Sequence, residues 1–233
     1  MCGIIGYVGK RNAADIILGG LLRMEYRGYD SAGLALYSRK TKALVRARVK
    51  GKISDLFSHA EKQIPDYKNL NYTIGIGHTR WATHGAPTEA NAHPHFSRNS
   101  DFAIVHNGII ENYAVLKEKL TKKGYSFSSE TDSEVLAHLI EECYVGDFKR
   151  AEGEALESVE GTYGLAVISS HHPGMIIAAR KGSPIAIGVG AEEAVVASDV
   201  SAIISHTNQV VFLDDEDIAH EAGIHQDGVL KNP

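Results

Sequence analysis

A cysteine stands second in this chain, where removal of one residue would expose its amino group. Cys2 follows Met1, and methionine aminopeptidase removes Met1 readily when the next side chain is small. The freed residue would carry a thiol with a pKa of about 8.5 and an α-amino group with a pKa of roughly 7.7–8.0. Such an amine can act as the base for its own thiol. The position predicts a nucleophile at Cys2, with a small buried residue in a first strand as the alternative.

Three further groups could bind one small molecule beside that thiol. Arg80 offers a planar pair of donors that suits a carboxylate. Asp132, at a predicted helix start, could accept hydrogen bonds from an ammonium group. Asn107 and Gly108 could provide a side-chain amide and an unhindered N–H to an oxyanion. A carboxylate, an ammonium group and a carbonyl open to attack describe an α-amino acid with a side-chain amide, such as glutamine or asparagine.

These residues also have plainer interpretations. Arg80 could form a surface salt bridge, and Asp132 could be only a helix-start charge. Asn107-Gly108 after a strand is typical of a hairpin turn, which the local pattern alone favours. A metal site is a separate alternative, although the histidine spacings match no known zinc motif. The histidines that raise it are His78, His84, His93 and His95.

Composition narrows the class of protein. The 233 residues have a formal net charge of −5, which argues against a nucleic-acid partner. Two cysteines are too few for a disulfide framework, and no apolar run approaches the length of a membrane span. We therefore expect a cytoplasmic protein that does not bind membranes, with Cys2 kept as a free thiol.

The periodicity predicts one α+β domain over residues 1–233, with two sheets face to face and helices outside. Two groups of strands flank a block of helices. Predicted helices begin near Asn12, Ser54, Tyr113, Thr131 and Phe148, with Asn12 and Thr131 as caps. The strand before the H-N-G segment is predicted over Phe102–Val105.

Two segments are the most specific in the chain: Y-R-G-Y-D-S-A-G from Tyr26 and H-T-R-W-A-T-H-G from His78. With the C-G-I start, they resemble the glutamine amidotransferases of the N-terminal-nucleophile class. Within that class the resemblance is to the glutaminase half of the enzymes that form glucosamine 6-phosphate, and it covers essentially the whole chain. It implies the N-terminal-nucleophile hydrolase fold, a four-layer αββα sandwich of two packed, mainly antiparallel sheets.

The resemblance also implies roles for individual residues. Cys2 would be the nucleophile with its own amine as base, and Asn107 and Gly108 would hold the oxyanion. Arg80 would bind the glutamine carboxylate and Asp132 the ammonium group. Arg27 would help to position the nucleophile. The loop that closes over glutamine would contain Trp81, Thr83 and His84, with Gly85 as a flexible point.

Partners follow from the same resemblance. The substrate would be L-glutamine, and no metal or organic cofactor would be needed. Ammonia would convert fructose 6-phosphate to glucosamine 6-phosphate only through sugar-isomerase domains that this sequence does not contain. The isolated domain is expected to be a monomer or a weak dimer. A non-catalytic glutamine-sensing or docking domain is the alternative if Met1 is retained.

Overall fold

Two antiparallel sheets lie face to face in this structure, a computed structural model that describes residues 2–69, 72–81 and 85–222. The seven-stranded sheet contains β1 (Gly3–Val8), β2 (Ser31–Ser38), β3 (Ala43–Lys50), β4 (Ile74–Arg80), β9 (Ala186–Val189), β10 (Ala194–Ala197) and β11 (Val210–Phe212). The five-stranded sheet contains β5 (His95–Phe96), β6 (Phe102–Ile110), β7 (Gly161–Ser169), β8 (Met175–Lys181) and β12 (Ile218–Ala222). The spatial orders are β11-β9-β10-β1-β4-β2-β3 and β12-β8-β7-β6-β5.

Helices cover the outer face of each sheet. Helices α1 (Ala13–Arg23) and α2 (Ile53–Gln63) share a hydrophobic core with the seven-stranded sheet. Helices α3 (Tyr113–Lys122), α4 (Glu134–Cys143) and α5 (Phe148–Glu157) share another with the five-stranded sheet. A third core lies between the sheets. The predicted four-layer αββα sandwich is confirmed. Of the helices that the structure describes, none is long and apolar enough to cross a bilayer.

The strand β1 lies in the middle of the seven-stranded sheet, between β10 and β4. Its side chains alternate between two cores: Ile4 belongs to the core between the sheets, while Ile5 and Tyr7 pack under the outer helices. Because both faces are covered, β1 reads as a continuous apolar run rather than an alternating one. Cys2 directly precedes this buried strand.

The hairpin turn, which is the alternative that the local pattern favours at Asn107-Gly108, does not form. Strand β6 continues to Ile110, and Asn107 and Gly108 pair with Gly164 and Tyr163 of β7. A Cβ atom on Gly108 would lie 2.1 Å from the Thr162 carbonyl oxygen, and the φ angle there is +134°. Glycine is therefore required by the close approach of two strands, and the chain does not reverse.

The caps of two helices differ in how well the sequence predicted them. Asn12 caps α1 as predicted, since its side chain accepts a hydrogen bond from the Ala14 N–H. Thr131 does not cap α4: Ser133 is the N-cap residue, and the Thr131 hydroxyl lies 3.1 Å from the His95 ring. The Thr131 hydroxyl therefore contacts a residue that is distant in the chain and does not cap the helix that follows it.

Candidate active site

A cavity of about 240 Å³ lies where Cys2, the end of β4 and strand β6 meet. This volume is slightly below the range of about 300–1,000 Å³ that ligand pockets usually have, so it suits a molecule of amino-acid size. The structure brings six of the predicted site residues into its lining. They are Cys2, Arg80, Trp81, Asn107, Gly108 and Asp132.

The Cys2 thiol contacts the backbone of Trp81. The Trp81 N–H donates to Sγ at 3.3 Å, and Sγ lies 3.6 Å from the Trp81 carbonyl oxygen. Burial raises the pKa of the Cys2 thiol, although the Trp81 hydrogen bond and the positive charge of Arg80 oppose this effect. At neutral pH the thiol is therefore protonated, and it needs a base before it can act as a nucleophile.

Gly28 allows the two specific sequence segments to touch. A Cβ atom at this position would lie 2.7 Å from the Arg80 carbonyl carbon and 2.8 Å from the Trp81 nitrogen. The Asp30 N–H donates to the Arg80 carbonyl at 3.0 Å, and the Thr79 hydroxyl donates to the Gly28 carbonyl. The segment from Tyr26 thus fixes the end of β4, from which Arg80 and Trp81 enter the cavity wall.

Two buried groups of opposite charge line the cavity. Arg80 is only 5% exposed, and its guanidinium donates to the carbonyls of Gly85 (3.1 Å) and Ala86 (3.3 Å). Burial lowers the pKa of Arg80, while the negative charges of Asp30 and Asp132 favour its protonated form. Asp132 is 8% exposed and accepts from the Ile110 N–H at 2.7 Å. This pair is complementary to a molecule that carries both a carboxylate and an ammonium group.

The orientation of the Asn107 amide is set by His78. The His78 Nε2 lies 2.9 Å from Asn107 Oδ1, and Asn107 Nδ2 donates to the Cys2 carbonyl at 3.2 Å. Burial lowers the pKa of His78 to about 3, so the ring is neutral and Nε2 carries the proton donated to Oδ1. From the sequence, His78 is a candidate only for binding a metal. Strand alternation could have found it, because His78 and Arg80 share one face of β4.

Three buried histidines form a cluster of ring contacts next to this amide. The ring centroids of His78 and His93 are 4.3 Å apart, and those of His93 and His95 are 4.5 Å apart. Burial lowers the pKa of all three, so they are neutral. Within residues 2–69, 72–81 and 85–222, no three His, Cys, Asp or Glu side chains are placed to hold a metal ion. The fourth histidine of the metal hypothesis, His84, lies outside the described residues.

Arg27 lies outside the cavity lining and pairs with Asp199. The Arg27 Nη1 and the Tyr26 hydroxyl donate to the same Asp199 oxygen, at 2.6 and 2.7 Å. Burial alone would raise the pKa of Asp199, but hydrogen bonds from Ser201, Tyr26 and Arg27 lower it to about 2. The positive charge of Arg27 acts on Cys2 by lowering its pKa. Thr83, which was predicted beside Trp81, lies outside the described residues.

Residues 58–225 match a family described as glutamine amidotransferase domain, and this match spans most of the chain. The chain belongs to this family. The domain is also similar along its length to proteins named glutamine–fructose-6-phosphate aminotransferase (isomerizing). Those of Chlorobaculum tepidum and Bacteroides thetaiotaomicron are 50% and 51% identical to it, over 94% of this chain. The amidotransferase domain spans 36% and 35% of the length of these relatives.

Two solved structures have a similar fold. The glutamine phosphoribosylpyrophosphate amidotransferase of B. subtilis covers 95% of the domain with a TM-score of 0.73 and 26% identity, and the domain spans 49% of that chain. A structure titled as the allosteric regulatory enzyme of purine biosynthesis matches with a TM-score of 0.74, 27% identity and the same coverage. The amidotransferase relationship that the motifs suggested is confirmed, together with the fold.

Proposed function

We propose that the domain hydrolyses glutamine to glutamate and ammonia through a thioester on Cys2. The observation that most strongly supports this function is that a thiol, a buried guanidinium and a buried carboxylate line the same small cavity. Arg80 would bind the glutamine α-carboxylate and Asp132 the α-ammonium group. An analogue that lacks either charge would leave one of these buried groups unpaired, which explains how the site would select glutamine.

The proposed reaction starts when removal of Met1 frees the α-amine of Cys2. The amine takes the thiol proton, and Sγ attacks the side-chain carbonyl carbon of glutamine. The resulting oxyanion accepts hydrogen bonds from Asn107 Nδ2 and the Gly108 N–H. The C–N bond then breaks, and ammonia leaves with the proton that the α-amine of Cys2 took from the thiol. Water attacks the thioester, gives a proton back to the amine, and releases glutamate and the thiol.

We also propose where the ammonia goes. The similar proteins are named for the amination of fructose 6-phosphate, and the domain spans about a third of their length. In a protein of that size, residues beyond this domain would bind fructose 6-phosphate and convert it with ammonia to glucosamine 6-phosphate. Because these relatives are named as enzymes, they favour catalysis over a non-catalytic glutamine-sensing domain. The two free cysteines, Cys2 and Cys143, suit a reducing compartment such as the cytoplasm.

Intact mass measured before and after incubation with a diazo-ketone analogue of glutamine tests this function. We expect a chain without Met1 that gains one adduct, located on Cys2 by peptide mapping. A chain that has lost Met1 but gains no adduct would contradict the glutaminase assignment. A chain that retains Met1 and binds glutamine without turnover would support the sensing alternative instead.

Arg80→Lys is expected to raise the KM for glutamine by about 10- to 100-fold, with a smaller effect on kcat. A lysine keeps the charge but replaces a two-pronged donor by a point charge, and a charged hydrogen bond is worth about 1.5–3 kcal/mol. Steady-state kinetics of ammonia release would measure this split. Arg39→Lys is the matched control, since Arg39 is exposed beyond the end of β2. An unchanged KM in Arg80→Lys would exclude the carboxylate-binding role.

A further inference from the structure

Asn91 is a fully buried amide that contacts both the turn that holds the Arg80 guanidinium and the turn that carries Asp132. It is 1% exposed and is not among the residues that line the cavity. Neither the motifs nor the proposed mechanism gives it a role. Its contacts nevertheless connect the surroundings of Arg80 with those of Asp132.

The first connection runs to Arg80. Asn91 Nδ2 donates to the Ala86 carbonyl oxygen at 3.0 Å. The same oxygen accepts a hydrogen bond from Arg80 Nη1 at 3.3 Å. Asn91 Nδ2 would also lie 3.0 Å from a Cβ atom on Gly85, whose carbonyl accepts from Arg80 Nη2. The Asn91 amide thus fixes the turn that holds the guanidinium in place.

The second connection runs to the turn before α4. Asn91 Oδ1 accepts from the Glu130 N–H at 2.9 Å, and Asn91 Nδ2 donates to Glu130 Oε2 at 3.2 Å. Glu130 stands two residues before Asp132 in the chain. On the other side of Asp132, the Glu134 carboxylate accepts from the N–H groups and hydroxyls of Ser128 and Ser129. The turn that carries Asp132 is therefore held on both sides of that residue, and Asn91 forms one of its attachments.

The segment that carries Asn91 is itself attached to the seven-stranded sheet. Arg48 of β3 is buried, and its Nη1 donates to the carbonyls of Ala90 (3.2 Å) and Ala92 (2.9 Å), on either side of Asn91. A Cβ atom on Gly33 of β2 would lie 2.2 Å from the His93 carbonyl oxygen, so this segment lies directly against the sheet. Asn91 therefore lies on a segment that is fixed against the seven-stranded sheet.

We propose that Asn91 is a positioning residue that sets the separation between Arg80 and Asp132, and so matches the site to the carboxylate and ammonium groups of one α-amino acid. The inference rests on the proposed function. The residue type fits the role, because a single amide donates to Ala86 and accepts from Glu130 at the same time. An aspartate has the same size but offers no donor, and it would place a second carboxylate beside Glu130.

Two reactions of Cys2 separate positioning from structural support. The diazo-ketone analogue carries both charged groups of glutamine, whereas iodoacetamide carries neither. In Asn91→Asp and Asn91→Ala, alkylation by the diazo ketone at limiting concentration should slow by at least about tenfold, the loss expected for about 1.4 kcal/mol of binding. Alkylation by iodoacetamide should change by less than about twofold, since the Cys2 surroundings stay intact. The KM for glutamine should rise while kcat changes little.

Asn99→Ala is the matched control, because Asn99 is exposed and its backbone N–H donates to Glu141, which belongs to neither turn. Asn91→Asp keeps the volume of the buried side chain, so it serves if Asn91→Ala does not fold. If alkylation of Cys2 slows equally with both electrophiles, Asn91 has only a structural role and the proposal is overturned. An unchanged alkylation rate with both electrophiles would also overturn it. A wild-type domain that reacts no faster with the diazo ketone than with iodoacetamide would overturn the proposed function itself.

Discussion

Cys2→Ala is expected to lower the rate of glutamine hydrolysis by at least about four orders of magnitude. The thiol supplies the attacking atom and holds the acyl group, and no other described residue of the cavity lining carries a thiol. Binding should survive, because Arg80 and Asp132 keep their contacts. Ammonia release would give the rate, and calorimetry with glutamine would give the Kd.

The second cysteine provides the control for this experiment. Cys143 lies at the end of α4 and is partly buried beside the core of the five-stranded sheet. Burial raises the pKa of its thiol, as it does for Cys2, so the two residues differ chiefly in their position. Cys143→Ala should retain wild-type turnover. Ammonia release that persists in Cys2→Ala would eliminate the covalent mechanism.

Acid is expected to destabilise the domain steeply because its buried histidines are neutral. Burial lowers the pKa of His78 to about 3, and it also lowers the pKa of His93 and His95. In the unfolded chain these rings take up protons below a pKa of about 6.5, while in the folded chain they do not. The stability is therefore present above about pH 6.5 and is lost as the pH falls below that value, since the unfolded state binds more protons.

The expected loss is large compared with the stability of a typical domain. Between about pH 7.5 and about pH 5, one histidine that stays neutral in the folded state costs about 2 kcal/mol of unfolding free energy. Three such residues together cost roughly 6 kcal/mol, against a typical total of about 5–15 kcal/mol. Urea denaturation at the two pH values would measure the difference.

His93→Leu tests whether the histidine cluster causes this effect. Neither ring nitrogen of His93 has a hydrogen-bond partner in the described part of the chain, so leucine removes a titrating group without breaking such a contact. The variant should lose about 2 kcal/mol less than the wild type between the two pH values. His59→Leu, on the partly exposed side of α2, is the matched control. If His93→Leu and the wild type lose the same free energy of unfolding between the two pH values, protonation of the buried histidines is not the cause of the acid sensitivity.

The layers of this fold could be predicted from the sequence because each is encoded locally. The apolar stripes of the helices and the strand runs gave two sheets with helices outside, and Asn12 was recognised as a cap. Strand β6 was predicted too short because Asn-Gly is the usual hairpin signal. The glycine at position 108 is instead required by a close contact with Thr162. Thr162 is more than fifty residues away, so no local sequence pattern records this contact.

The composition of the candidate site could be predicted in the same way, but its geometry could not. Cys2, Arg80, Asn107 and Asp132 were chosen because their chemistry fits one amino acid. Their convergence depends on the register between β1 and β4 and on the pairing of the two sheets. The supporting residues were missed for a related reason. His78 and Asn91 act through distant partners, so only the folded chain shows what they hold.

Trp81 gives the domain an optical probe at the reacting atom. It is the only tryptophan in the chain, beside ten tyrosines that longer excitation wavelengths leave dark. Its indole is about half exposed, and its own backbone N–H contacts the Cys2 sulfur. Any ligand that fills the cavity or acylates the thiol must change the surroundings of this one fluorophore. Stopped-flow emission can therefore follow binding, acylation and release on the unlabelled protein, one turnover at a time.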